Sequence, residues 1–175
     1  MNYIAYAKEL GFTEAAFFNP HNLNFDDADV IRMACEANDC GFYNKFWTCP
    51  PGVGSIEEVT TKIKAFKGGL VLQMLTEAIS YDLNFELFNE VSSAFNDMTY
   101  LMKKMLSNEY GDVMMLGLSN CRLCPSCNYP EPCRHPKRML PCVSGHCINI
   151  YRLWDSTGFP RGSLEESEFY SLLLW

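Results

Sequence analysis

Residues 121–136 read CRLCPSCNYPEPCRHP, and we expect the rest of the fold to serve as the scaffold that positions this cysteine-rich stretch. Four of its residues are cysteines: Cys121, Cys124, Cys127 and Cys133. The first three have Cys-x-x-Cys-x-x-Cys spacing, which lets the chain turn tightly enough for successive sulfurs to approach a common point. Prolines within the stretch stiffen the loop around them. The stretch therefore predicts a metal site.

The spacing favours an iron–sulfur cluster over zinc. A cysteine triplet followed by a more distant cysteine is typical of ferredoxin-type clusters, which are held by thiolates. Zinc more often takes four thiolates from two separated Cys-x-x-Cys pairs. The simplest assignment is one [4Fe–4S] cluster on the four cysteines of the stretch, with Cys49 as a rival to Cys133 for the fourth position. Zinc stays open as the alternative, as do cysteines that bind no metal.

The composition predicts a single globular domain over residues 1–175. The apolar fraction is 48% and the charged fraction is 20%, which is ordinary for a folded protein. The formal net charge of −7 argues against a nucleic-acid partner, because phosphate contacts require clustered cations. No segment is apolar for long enough to cross a bilayer, so we expect no membrane partner.

The cysteine usage predicts a reducing compartment. Residues 1–8 lack the basic start and the long apolar centre of a secretion signal. The chain has nine cysteines, and this odd number argues against a closed disulfide framework. We therefore expect a cytoplasmic protein whose reduced thiols are available to a metal.

A second group of cysteines lies at residues 35–51, which read CEANDCGFYNKFWTCPP. Cys35, Cys40 and Cys49 have looser spacing than the triplet, so spacing alone leaves buried free cysteines and metal ligands equally open. Two prolines directly follow Cys49 and restrict the backbone conformation where the chain leaves this group. The four aromatic residues in this group would exclude water from a cluster and so tune its potential.

The basic residues in and directly after the 121–136 stretch have two interpretations. They would offset the negative charge of a thiolate-bound cluster, or they would receive an anionic ligand. We favour the neutralising role, because the need for it follows directly from the thiolates. The residues are Arg122, Arg134, His135, Lys137 and Arg138.

Hydrophobic periodicity and turn residues predict an α/β fold, in which helices cover a small mixed sheet of about four strands. Long helical connections are compatible with parallel neighbours, and the strand order stays open. We expect both cysteine loops to lie at one end of the domain. The predicted strands are residues 15–19, 70–75, 113–118 and 168–174. The predicted helices are residues 2–10, a helix through about 37 capped by Asn24 or Asp26, one from Ser55 to about 66, one over 85–107 opened by Asp82 or Asn84, and 148–155.

The longest predicted helix, residues 85–107, carries a wide apolar stripe at alternating spacings of three and four. Met98, Met102 and Met105 belong to this stripe, and at helical spacing we interpret them as core residues and not as soft-metal ligands. The stripe suits either the core of one chain or the interface of a homodimer.

The two cysteine groups together resemble a family of prokaryotic proteins described as predicted metal-binding, a domain of unknown function. Residues 35–51, the cysteine triplet and the PCRHP run at 132–136 carry the resemblance, which spans nearly the whole chain. It implies a cysteine-rich metal protein, iron–sulfur in kind and common among anaerobes, but it supplies no reaction. The family usually has a different run after the last motif. Cys142 and Cys147 are therefore additions in this chain, and we assign neither as a ligand.

The resemblance also implies that Cys35, Cys40 and Cys49 belong with the other four. The two loops would then converge in space. Seven thiols exceed the need of one cluster, so they would serve one four-cysteine cluster plus a second cluster with a non-cysteine or open position.

Three functions stay open at this point. The first is transfer of single electrons to a redox partner protein. The second is an enzyme whose cluster has an open iron that acts as a Lewis acid, with Arg134, His135 or Arg138 holding an anionic substrate. The third is an interaction module that zinc stabilises.

Overall fold

The computed structural model describes residues 2–79, 84–117 and 121–175. Nine regular elements follow one another in these ranges, together with two single turns of 3-10 helix at Pro20–Asn22 and Ser144–His146. The elements are α1 (Tyr3–Leu10), β1 (Glu14–Phe18), α2 (Ala28–Ala37), α3 (Ile56–Lys64), β2 (Gly69–Glu77), α4 (Phe85–Tyr110), β3 (Met114–Gly117), α5 (Ile150–Thr157) and β4 (Glu166–Leu174).

The four strands form one sheet in the order β1-β2-β4-β3. Each strand pairs with its neighbours in antiparallel orientation. The predicted α/β fold with a four-stranded, helix-covered sheet is therefore confirmed, but the strands themselves are antiparallel and not mixed. Within the described residues, parallel pairing occurs at one isolated bridge, between Gly117 and Cys142. The apolar strands gave no indication of direction, because burial on both faces produces the same pattern in either orientation.

Helices cover both faces of the sheet. Leu70 and Leu72 of β2 face a core that α1 and α4 complete, whereas Val71 faces a second core that contains residues of α3 and α5. This division follows from strand geometry, since successive side chains point to opposite faces. Met102 is fully buried in the first core, and Met98 and Met105 pack against it, so the three methionines of the long helix are core residues as expected.

Capping residues set the ends of several helices. Asn84 opens α4 by accepting a hydrogen bond from the Leu87 N–H, while Asp82, the alternative, lies outside the described residues. The side chain of Asn149 accepts from the backbone of Tyr151 and Arg152, and for this reason α5 begins two residues later than predicted. No described helix is both long enough and apolar enough to span a bilayer.

The capping box at the start of α3 gives a direct test of this fold. Ser55 Oγ accepts from the Glu58 N–H at 3.2 Å, and Glu58 Oε2 accepts from the Ser55 N–H at 2.7 Å. We expect Ser55→Ala to lower the free energy of unfolding by about 1 kcal/mol, the usual loss of an N-cap. Denaturant unfolding of the metal-free protein measures this change.

Ser93→Ala is the matched control, because Ser93 is an exposed residue in the interior of α4. Alanine has the better helix propensity, so this control should be neutral or slightly stabilising. Equal losses in both variants would contradict the role of the cap.

Candidate metal centre

The second cysteine loop, residues 121–136, is braced by its own polar side chains. Arg134 donates from Nη1 to the Ser126 carbonyl at 3.1 Å and from Nη2 to Asn128 Oδ1 at 2.9 Å. Asn128 in turn donates from Nδ2 to the Pro132 carbonyl at 2.9 Å. Arg134, which the sequence offered as a cation for a cluster or a substrate, thus makes hydrogen bonds that close the loop.

The four thiols of this loop are all partly exposed: Cys121, Cys124, Cys127 and Cys133. The backbone N–H of His135 points at Cys133 Sγ, with 3.4 Å between the nitrogen and the sulfur. Backbone N–H donors to sulfur are a common feature of ligand cysteines in metal sites.

The first cysteine loop, residues 35–51, starts in the last turn of α2. Asn38 ends that helix in a left-handed conformation, with φ of 61°, and its side chain accepts from the Tyr43 N–H at 2.9 Å. Further along, the Asn44 N–H donates to the Pro50 carbonyl at 2.8 Å, which closes the loop around Cys49. Phe42 and Phe46 pack edge to face inside it, with ring centroids 5.5 Å apart.

The two cysteine loops contact each other, as the sequence predicted. Trp47 Nε1 donates to the Glu131 carbonyl at 2.7 Å, and the Trp47 ring lies against Tyr129 with centroids 5.1 Å apart. The Tyr129 hydroxyl donates to Asn44 Oδ1 at 3.2 Å. An aromatic pair and two hydrogen bonds therefore join segments that lie more than 80 residues apart in the chain.

Thr48 connects both loops to a third segment. Its hydroxyl accepts from the Cys121 N–H at 3.2 Å, and its carbonyl accepts from the Cys142 N–H at 3.0 Å. Thr48 is only 2% exposed, so these bonds are shielded from water. Thr48 thus fixes the backbones of Cys121 and Cys142, and Cys49 is the next residue in the chain.

Gly117, the last residue of β3, pairs with this third segment, residues 140–143. Its N–H donates to the Pro141 carbonyl and its carbonyl accepts from the Val143 N–H, both at 2.8 Å. A Cβ atom at this position would lie 2.6 Å from Leu140 Cδ2. Because such a contact is too short for two carbon atoms, the close approach requires glycine.

A cavity of about 480 Å³ lies between α2, the first cysteine loop and the segment around Cys142. Four cysteines line it: Cys35, Cys40, Cys49 and Cys142. Most of its other lining is apolar or aromatic, from Ile31, Ala34, Phe42, Tyr43 and Pro50, with Asp39 and Ser144 as the polar members. Three of the predicted site residues thus share a cavity with one that the sequence analysis set aside.

Cys121 lines a different and much smaller cavity, of about 40 Å³, beside α4. Arg122 and Arg138 line it too. Arg138 lies over the Tyr100 ring at 4.9 Å, and Arg122 lies over the Phe88 ring at 5.5 Å. Both cations therefore contact aromatic residues of α4, which ties the second cysteine loop to the first core.

Burial and the charges of neighbouring cysteines raise the pKa of two cavity thiols, Cys35 and Cys49. Burial, followed by the charges of Cys142 and Cys40, raises the pKa of Cys35 to about 11, although Arg32 acts in the opposite direction. Burial and the charge of Cys142 likewise raise the pKa of Cys49 to about 12. A metal that binds here must displace protons, so its affinity should rise with pH.

Cys142 also has a raised pKa, and burial is again the main cause. Hydrogen bonds from the backbone N–H groups of Gly145 and Ser144, and from the Ser144 side chain, act against that rise. On the sequence this residue was set aside as a ligand, because the resembled family usually has a different run at this place. The Ser144-Gly145 pair that follows it was the available signal, since these residues permit the tight turn that returns N–H groups to the sulfur.

The remaining cysteine, Cys147, is fully buried and packs with Ala28 and Val59. Arg32 Nη2 lies 3.8 Å from its sulfur. Within residues 2–79, 84–117 and 121–175, no three or more His, Cys, Asp or Glu side chains are grouped so that they could hold a metal ion.

A family model described as "Predicted metal-binding protein (DUF2284)" matches residues 18–175. This range includes both cysteine loops and all nine cysteines. No curated protein and no solved structure matches the chain.

The bond from Trp47 to Glu131 provides a test of the contact between the loops. We expect Trp47→Phe to keep most of the ring packing on Tyr129 but to lose the hydrogen bond. A loss of about 1 kcal/mol corresponds to amide hydrogen exchange about fivefold faster in residues 128–134. Mass spectrometry of exchanged peptides measures this rate, with Tyr151→Phe, at an exposed position on α5, as the control. Unchanged exchange in residues 128–134 would show that the bond does not hold the loops together.

Proposed function

We propose, from the premise that the chain belongs to this family of predicted metal-binding proteins, that it holds a [4Fe–4S] cluster and passes single electrons to a partner protein. The proposed ligands are Cys121, Cys124, Cys127 and Cys133 of the second cysteine loop. The observation that carries the proposal is the contact between the two cysteine loops through Trp47, Thr48 and Tyr129. Through it, two thiol-rich loops are fixed side by side on one scaffold.

The donors of the second loop suit such a cluster, because iron–sulfur clusters are usually held by thiolates. When bound, a cluster of this kind takes up and releases one electron at a time. The chain supplies the sulfurs, a loop that Arg134 and Asn128 hold closed, and the His135 N–H directed at Cys133. Hydrogen bonds to ligand sulfurs are one of the means by which a protein sets a cluster's potential.

The sequence spacing of the thiols favours a cluster over a single zinc ion. Four thiolates around one zinc must converge on a single centre at about 2.3 Å. The second loop has a cysteine triplet followed by a more distant cysteine, which is typical of ferredoxin-type clusters. The thiolates of a [4Fe–4S] cluster bind different irons, so they stand farther apart and enclose a larger volume.

Electron transfer is favoured over substrate activation by the position of the thiols and by the use of the cations. The four ligand candidates are partly exposed, so a partner protein could approach the cluster closely. The enzyme alternative needs Arg134, His135 or Arg138 to hold an anion. Arg134 closes the loop instead, and Arg138 lies over Tyr100. We place the protein in the cytoplasm, where reduced thiols persist.

Anaerobic purification, with analysis of iron, sulfide and zinc and spectra before and after dithionite, tests the proposal. We expect brown absorbance that bleaches on reduction and returns on oxidation without any substrate. Cys127→Ala should lower the content by about four irons and four sulfides per chain.

Cys147→Ala is the matched control for this loss, since Cys147 is buried outside the second loop and should leave the metal content unchanged. One zinc per chain with no sulfide, even after anaerobic reconstitution with iron and sulfide, would refute the redox function. That result would favour the zinc-stabilised interaction module.

A further inference from the structure

The cavity lined by four cysteines is not used by the cluster on the second loop. We infer that Cys142 joins Cys35, Cys40 and Cys49 as the fourth ligand of a second [4Fe–4S] cluster. The inference rests on the proposed iron–sulfur function for the kind of metal, but it uses a separate set of residues. The sequence alone left the fourth ligand of a second cluster as a non-cysteine group or an open position. Here Cys142 takes that position.

The shape of the cavity is the first argument. Its volume of about 480 Å³ far exceeds the space of one ion, and four thiols from three segments line it. Cys35 comes from α2, Cys40 and Cys49 come from the first cysteine loop, and Cys142 comes from the segment that pairs with Gly117. Phe42 and Tyr43 cover one side, where they would limit the access of water to a cluster.

The surroundings of Cys142 are the second argument. Its own backbone is fixed on both sides, because its N–H donates to the Thr48 carbonyl while its neighbours bond to Gly117. The N–H groups of Ser144 and Gly145 are directed at its sulfur. A rigid backbone and N–H donors directed at sulfur are what a ligand thiolate requires, whereas a cysteine that merely fills space needs neither.

A buried cation beside the cavity is the third argument. Arg32 lies on α2 one turn before Cys35 and is only 9% exposed. Its Nη atoms donate to the Gly54 carbonyl at 2.9 Å and to the Gly145 carbonyl at 3.2 Å, and its Nε is buried with no hydrogen-bond partner. Within the described ranges, none of the ion pairs formed with a carboxylate includes Arg32.

Burying a guanidinium without a counter-charge is costly, so the position of Arg32 calls for a neighbouring anion. A cluster held by four thiolates carries net negative charge and would supply one at this place. The positive charge of Arg32 would in turn favour the thiolate form of the ligands. Arg32 is therefore a positioning residue that acts through charge and not through contact with iron.

The experiment compares Cys142→Ala with Cys147→Ala in the full chain, purified without oxygen and reconstituted with iron and sulfide. The control removes a buried cysteine that lies 3.8 Å from Arg32 but does not line the cavity, so all four cavity thiols and the bonds from Arg32 to the Gly54 and Gly145 carbonyls stay in place. We expect about eight irons and eight sulfides per chain in the wild type and in the control, and about four of each in Cys142→Ala. Cys40→Ala, at an exposed position, should give the same loss with little risk to the fold.

Electron paramagnetic resonance provides a second readout. Two reduced clusters on adjoining loops should give a signal broadened by their magnetic interaction. Cys142→Ala should give the simpler signal of one cluster, and so should Cys127→Ala, which removes the other. Circular dichroism of each variant checks that the protein is folded.

The outcomes separate this inference from the proposed function. A wild type with about four irons that Cys142→Ala keeps and Cys127→Ala loses would overturn the inference and leave the function intact. If Cys142→Ala loses iron while Cys127→Ala keeps all of it, the cluster on the second loop is wrong and the inference stands. Zinc in place of iron and sulfide, lost only in Cys142→Ala, would overturn the second cluster. Metal content that no cysteine variant changes would overturn both.

Discussion

Thr48 makes the hydrogen bonds on which the thiol arrangement depends. Cysteines at residues 35–49, 121–133 and 142 are far apart in sequence, and a shared site needs their backbones in fixed relative positions. One buried threonine accepts from Cys121 with its hydroxyl and from Cys142 with its carbonyl, next to Cys49 in the chain. Since both bonds are made to backbone N–H groups, they set the positions of the cysteines without using any sulfur.

The sequence predicted much of this molecule because local rules governed much of it. The Ser55–Glu58 capping box specifies the start of a helix from a few neighbouring residues, and it is present. The cysteine triplet was equally readable from local spacing, whereas the approach of the two loops was implied by the family resemblance. Strand direction could not be predicted. Strands buried on both faces lack the apolar–polar alternation that is typical of an antiparallel sheet with one solvated face.

The position of Cys142 in the fold could not be predicted from the sequence, for a physical reason. Its place is set by Gly117, where the absence of a side chain lets residues 140–143 approach, and by the Thr48 carbonyl. Both partners are distant in sequence, and backbone pairing leaves no mark on residue type. Arg32 was missed in the same way, since only the fold shows that a cation in an ordinary helix is buried among carbonyls and a sulfur.

The sheet order has a consequence for how the protein is made. β3 pairs with β4, and β4 follows every cysteine in the chain and lies between β2 and β3. On the ribosome, all nine thiols therefore emerge before residues 166–174 are available to complete the sheet. Until then Gly117 lacks its strand partner, and the edge that receives Cys142 is incomplete. Metal loading should accordingly follow translation of β4, and the nascent thiols need a reducing environment throughout that interval.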